Sequence, residues 1–171
     1  MVVTFPHMGN VYIGAKVLME ALGVDIIVPP LATDKAMEIG QSVSAEFICA
    51  PLKINIGNYI QSIEKGADTI LITGSNAPCR FGFYGVIEKE ILLDMGYDVE
   101  FIIFEAPEGD LGELIRRIQK ATQTKNIGKI AREIIKAQRI IVEVDRLERR
   151  MLHLEARELE KGTIRKIRKD F

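Results

Sequence analysis

Two cysteines are the residues best suited to chemistry in this 171-residue chain. Cys79 sits in the stretch Gly74-Ser75-Asn76-Ala77-Pro78-Cys79-Arg80-Phe81-Gly82-Phe83-Tyr84-Gly85, between an apolar run ending at Thr73 and a helical pattern from Val86. Cys49 is set the same way, with Phe47 and Ile48 before it and Pro51 after it. A thiol at a helix entrance meets unpaired amides and the positive end of the helix dipole, which favour its thiolate. Arg80 adds positive charge beside Cys79. Thiolates are the ligands that soft metals and iron–sulfur clusters require. Two buried structural cysteines account for the same pattern about as well, because free cysteine is among the most buried residue types. A separation of about thirty residues is no metal signature of the C-x-x-C kind.

The neighbouring loop residues offer weaker chemistry. Gly74 and Ser75, with Asn76 behind them, present backbone amides that suit an anion ahead of a helix. The stretch matches neither a dinucleotide G-x-G-x-x-G nor a G-x-x-x-x-G-K-[ST] loop, and a plain strand-to-helix turn explains it. His7, just beyond the first apolar run, falls on the same predicted edge as Cys79. It either lines a site there or bonds within its own loop. His153 lies on a charged helix and reads as solvated. No acid pair, Ser-His-Asp pattern or H-E-x-x-H is present, so no catalytic residue is assigned.

The elements that must position these residues alternate between strand and helix. Short apolar runs at 2–5, 25–28, 70–73 and 99–104 read as buried strands. Between the first two, Asn10 is placed to cap a helix whose apolar face is Val11, Ala15, Leu18 and Leu22, closed by Gly23. A short helix starts at Thr33-Asp34 and reaches about Ser42. After Cys49, Pro51 suits a first helical turn; Leu52, Ile56, Tyr59, Ile60 and Ile63 share a face, and Gly66 stops it. The helix after Cys79 runs to about Met95, with Gly96 at its end. This order predicts an α/β fold, a Rossmann-like parallel sheet of about four strands with helices on both faces and a C-terminal long-helix extension. Ligands in such folds bind beyond the carboxyl ends of the strands, where both cysteines fall.

Composition divides the chain in two. Residues 1–105 hold six basic and thirteen acidic side chains, residues 106–171 seventeen and eleven. The reading is a Rossmann-like domain over 1–106 and a helical extension over 107–171. In the extension Ile127, Ile130, Ile134, Ala137, Ile141, Val144, Met151 and Leu154 keep a three-and-four spacing. No Gly or Pro interrupts 129–161, which as one helix would span about 50 Å. The β-branched run 140–144 suits a strand by itself, but its neighbours' period favours helix. A helix of this kind needs a partner along its stripe: the sheet, a second copy or another domain. The basic run 165–169 suits phosphates, yet a solvated tail explains it better, and nucleic acid is not expected. With 47% hydrophobic and 27% charged residues the composition is that of a soluble globular protein. No apolar run approaches the roughly 20 residues of a membrane span, and no secretory leader is recognisable, so a cytoplasmic protein without membrane contact is expected.

Four stretches together carry a resemblance: F-P-H-M-G-N-V-Y at 5–12, I-C-A-P-L-K-I at 48–54, E-K-G-A-D-T-I-L-I-T-G-S at 64–75 and P-C-R-F-G-F-Y at 78–84. In this order they resemble the 2-hydroxyacyl-CoA dehydratase iron–sulfur component superfamily, on its CoA-substrate-specific activase-related branch. The resemblance extends over nearly the whole chain, including A-R-E-L-E-K-G-T at 156–163. Its specific elements are Cys-Arg-Phe-Gly and Cys-x-Pro. It implies loop cysteines holding a [4Fe–4S] or larger cubane-type cluster, charged with a low-potential electron by a separate actin-like, ATP-hydrolysing activase. By position, Cys49 and Cys79 would be cluster ligands, with the loops around Ser75 and Arg80 as the cluster's surroundings. Two departures stand out. Relatives commonly carry a further cysteine where this chain has Asn76 and Ala77, and they are about twice as long. The chain thus resembles an amino-terminal half, and a homodimer or a separate second-half polypeptide is the expected source of further ligands. The alternative is a cluster-free domain that binds an acyl-CoA, a nucleotide or a protein.

Overall fold

The structure, a computed structural model, describes residues 1–74, 79–105, 109–164 and 166. Its centre is an all-parallel sheet of β1 (Val2–Thr4), β2 (Asp25–Ile26), β3 (Thr69–Thr73) and β4 (Glu100–Phe104), in the order β2-β1-β3-β4. The α/β architecture read from the sequence is therefore the observed one. β3 explains the buried character of its run, because both its faces are covered. Leu71 joins Val3, Phe5 and Ile102 in one apolar cluster, whereas Ile70 and Ile72 point into another. β2 is shorter than the expected 25–28, and Pro29-Pro30 follow without amide donors to extend it.

The first cluster is capped by α1 (Val11–Leu22), α5 (Leu111–Thr122) and the start of α6 (Ile127–Glu155), through Met19, Leu22, Ala121 and Ile130. α1 ends at Gly23 in the left-handed conformation, φ 82°, as its sequence predicts. The expected long helix is α6. It takes in 140–144 as helix and ends at Glu155, so it spans about 44 Å rather than 50. α5 falls within the helical extension expected over 107–171, although no separate helix was expected there. Asp110 caps it, accepting from the amides of Gly112 (2.8 Å) and Glu113 (3.1 Å).

The second cluster lies under α3 (Ala50–Ile63) and α4 (Tyr84–Asp94), with α2 (Asp34–Val43) on the outside of α3. α2 and α3 cross at very close range. A Cβ added at Gly57 would lie 2.0 Å from the Ala36 carbonyl oxygen, and one added at Gly40 would lie 1.8 Å from that of Lys53. Only glycine permits that approach, and the crossing fixes the helix that carries Cys49. Because β1 connects outward to β2 and β3 outward to β4, the topology switches between β1 and β3. The crevice for ligands in such sheets opens at that point, beyond the carboxyl ends.

Candidate functional site around Cys49, Cys79 and Tyr84

Both cysteines stand at helix entrances on this edge. Cys49 is the N-cap of α3; its backbone is extended (φ −64°, ψ 147°), its carbonyl accepts from the Leu52 amide, and a proline follows in the first turn. The loop before it is anchored by the Lys53 ammonium, which donates to the Glu46 carbonyl at 3.0 Å. Cys79 caps a 3-10 turn, Arg80–Phe83, that leads directly into α4, and its carbonyl accepts from the Gly82 amide at 3.1 Å. Both thiols are free; Cys49 is half-buried and Cys79 exposed.

Tyr84, at the first position of α4, links the two loops. Its hydroxyl lies 2.6 Å from Cys49 Sγ, its ring meets Phe81 at 5.1 Å between centroids, and the residue is buried. Burial raises its pKa first, the hydrogen bond to Cys49 and the negative charge of that thiol next, with Glu88 and Cys79 adding to the rise. Tyr84 therefore keeps its proton at neutral pH and is the natural donor to an ionised Cys49 sulfur.

One turn further along α4, Glu88 is fully buried. Its Oε1 accepts from Asn55 Nδ2 of α3 at 3.0 Å, while its Oε2 has no hydrogen-bond partner among the described residues. Burial pushes its pKa up to about 8, against the opposing pull of Asn55 and Tyr59. Tyr59 of α3 faces the same carboxyl, and its own pKa is raised, first by burial and then by the charge of Glu88 and a hydrogen-bonding interaction with it. Strong desolvation of a carboxyl beside a candidate site is a recognised mark of function.

The remaining expected residues divide. Gly74 lies at the end of β3, and its amide donates to the Phe104 carbonyl at 3.1 Å. A Cβ there would lie 2.7 Å from Ile103 Cγ2 and 2.8 Å from Glu105 Oε2, so any larger residue would have to push those two side chains aside. His7 follows β1 on the same edge, with its ring stacked on Tyr12 at 5.2 Å. No hydrogen bond or ring contact joins it to either cysteine among the described residues. Arg80 is exposed at the start of the 3-10 turn. Ser75 and Asn76 lie outside the described residues. Sequence reasoning missed Tyr84, Asn55 and Glu88 as site residues. The signal was legible: Tyr84, Glu88 and Leu92 recur every fourth residue, which puts a glutamate on the buried face of α4.

A cubane cluster takes four thiolates, and the chain has two cysteines. No group of three or more His, Cys, Asp or Glu gathers as metal ligands among the described residues. The donor set thus fits one half of a cubane's requirement. No helix among the described residues is long and apolar enough to cross a membrane. The fold and site define a doubly wound α/β protein with two cysteines at N-cap positions on its carboxyl edge, neither thiol bonding a helix amide. Compared with known proteins, the chain matches no family model, no curated protein and no solved structure.

Proposed function

We propose that Cys49 and Cys79 are two thiolate ligands of an iron–sulfur site shared with a second chain, and that the protein works in low-potential electron transfer of the 2-hydroxyacyl-CoA dehydratase type. The second chain is another copy or a separate second-half polypeptide, an ATP-dependent activase supplies the electron, and an acyl-CoA is the substrate class of the wider system. The observation that supports this reading is the placement of both thiols at helix entrances around Tyr84. The cluster, when bound, supplies one-electron chemistry at low potential. The chain's own residues do the rest. Cys49 and Cys79 present sulfur; the Tyr84 hydroxyl donates to Cys49 Sγ and tempers its negative charge; Leu52, Ile72 and Phe81 shield that side from water. Two free cysteines suit the reducing cytoplasm.

Anaerobic purification, with visible absorption, iron and acid-labile sulfide measured together, tests the reading. Broad absorption near about 400 nm that disappears in both Cys49→Ala and Cys79→Ala supports it. A colourless protein that takes up neither iron nor sulfide on reconstitution overturns it. A second reading, a cluster-free domain that docks a protein, is favoured by Phe47 and Phe83. They are 82% and 56% exposed and flank the same two loops.

A further inference from the structure

We infer that the part of α6 beyond α1 is a docking surface for a second copy of this chain, with the two α6 helices side by side and antiparallel. The inference is read from α6 alone and needs no metal. It deepens the shared-site reading by naming the second chain as another copy.

α6 is longer than the element it packs on. Ile130 joins Met19 and Leu22 from the end of α1 in one apolar cluster, and Ala137 and Ile141 meet Gly14, so α6 runs back along α1 towards its start. Beyond Gly14, α1 has three residues left; beyond Ile141, α6 has fourteen, and it outruns α1 by about 16 Å. This overhang is not polar all round. Ile140, Val144, Leu147, Met151 and Leu154 follow at alternate spacings of four and three residues, the seam of a heptad pattern. Leu147 and Leu154 are 59% and 56% exposed. An open concavity of about 530 Å³ surrounds Leu147, and the residues that line it with Leu147, namely Glu143, Arg146, Arg149 and Arg150, all belong to α6.

The flanks of the seam select the occupant and its direction. One flank holds Ile141 and Glu148, and α1 closes it where Gly14 meets Ile141. The free flank holds Glu143 and Arg150, opposite charges seven residues apart. Glu143 uses Oε1 to accept from Arg146 of its own helix, and Arg150 has no ion pair among the described residues. In an antiparallel pair, free flank meets free flank. Val144 then packs on the partner's Leu147 and Ile140 on the partner's Met151. That register sets Glu143 beside the partner's Arg150, and the twofold axis repeats the pair. A parallel pair would instead set Glu143 against the partner's Glu148, a repulsion. A second antiparallel copy thus matches both the apolar spacing and the sign of each free flanking charge. Two heptads make a short seam, so the dimer is expected to dissociate on dilution.

Sedimentation velocity of the full chain, metal-free and reduced, tests the inference; passage from monomer to dimer between about 1 and 200 µM is expected. Glu143→Arg and Arg150→Glu are each expected to weaken association at least about tenfold, because each places two like-charge pairs across the axis. Mixed in equal amounts, the two variants are expected to associate within about threefold of wild type, since every pair in the mixed dimer is again opposite in charge. Leu147→Glu is expected to leave only monomer. These three positions are exposed, so the circular dichroism of each variant is expected to match wild type. The Cys49→Ala/Cys79→Ala double variant is expected to dimerise as wild type does. A wild-type chain that stays monomeric over the whole range overturns the inference. A Glu143→Arg variant that associates as tightly as wild type, or a mixture that stays monomeric, overturns it equally. Loss of the dimer in the double cysteine variant also overturns it, by tracing the pairing to the thiols. Iron and sulfide analysis reads the cluster separately, and a cluster bound by a chain that never pairs through α6 would leave a separate polypeptide as the second chain.

Discussion

Cys49 and Cys79 occupy matching places in the sequence, each between an apolar run and a helix, yet the fold holds them differently. Cys49 sits on a fourteen-residue helix clamped by the α2 crossing, its loop is tied by Lys53, and its sulfur touches a buried tyrosine. Cys79 is exposed on a four-residue 3-10 turn. The lesson is a division of labour: one thiol is fixed from behind by buried groups, the other is offered outward. A shared metal site suits that arrangement, since an outward ligand is reachable by a second chain while an inward one sets the chemical surroundings.

The largest effect expected from breaking this contrast is on the clamp. Gly57→Ala drives a methyl into the Ala36 carbonyl and forces α3 off α2, at a cost of about 3 kcal/mol or more. Urea denaturation measures the loss. Labelling of Cys49 is expected to become as fast as that of Cys79.

Glu88 comes next. Its folded-state pKa, about 8, is raised above the ordinary 4.5, so between those values the native protein holds a proton that the unfolded chain has released. Its contribution to stability is therefore fully present below about pH 4.5, falls as pH rises, and is lost above about 8. Glu88→Gln removes this dependence. Its stability relative to wild type is expected to rise by roughly 4 kcal/mol between pH 5 and 9, read as a shift in the urea midpoint.

Tyr84→Phe is a smaller change. It removes one hydrogen bond to a half-buried sulfur, at about 1 kcal/mol, and is expected to slow alkylation of Cys49 while leaving Cys79 unaffected. Smallest of all is Cys79→Ser, at an exposed position, where a change within about 0.5 kcal/mol is expected; Cys49→Ser should cost measurably more. Equal costs would erase the distinction between the two loops.

Much of the fold was legible because its signals are local. Gly23 and Gly96 adopt the positive φ that ends their helices, Thr33 accepts from the Ala36 amide as an N-cap, and the period of 127–155 carries the helix through its β-branched centre. Asn10 caps α1 by backbone position alone, without the side-chain bond expected of it. α5 lies inside the helical extension expected over 107–171, but its own D-x-x-E start at Asp110 and Glu113 was not read as a separate helix. The site was legible only in part. Cysteines at helix entrances follow from sequence order, whereas the contact of Cys49 with Tyr84 depends on how α3 and α4 lie side by side, thirty-five residues apart. The place of Glu88 on the buried face of α4 follows from its spacing with Tyr84 and Leu92, whereas its contact with Asn55 depends on how the two helices pack.

The measurement that tests the central claim most directly is native mass spectrometry of anaerobically purified, reconstituted protein. The account predicts a species holding at least two polypeptide chains with the added mass of one iron–sulfur cluster, and loss of that added mass in either Cys49→Ala or Cys79→Ala. A single chain with no added iron or sulfide under the same conditions would contradict it.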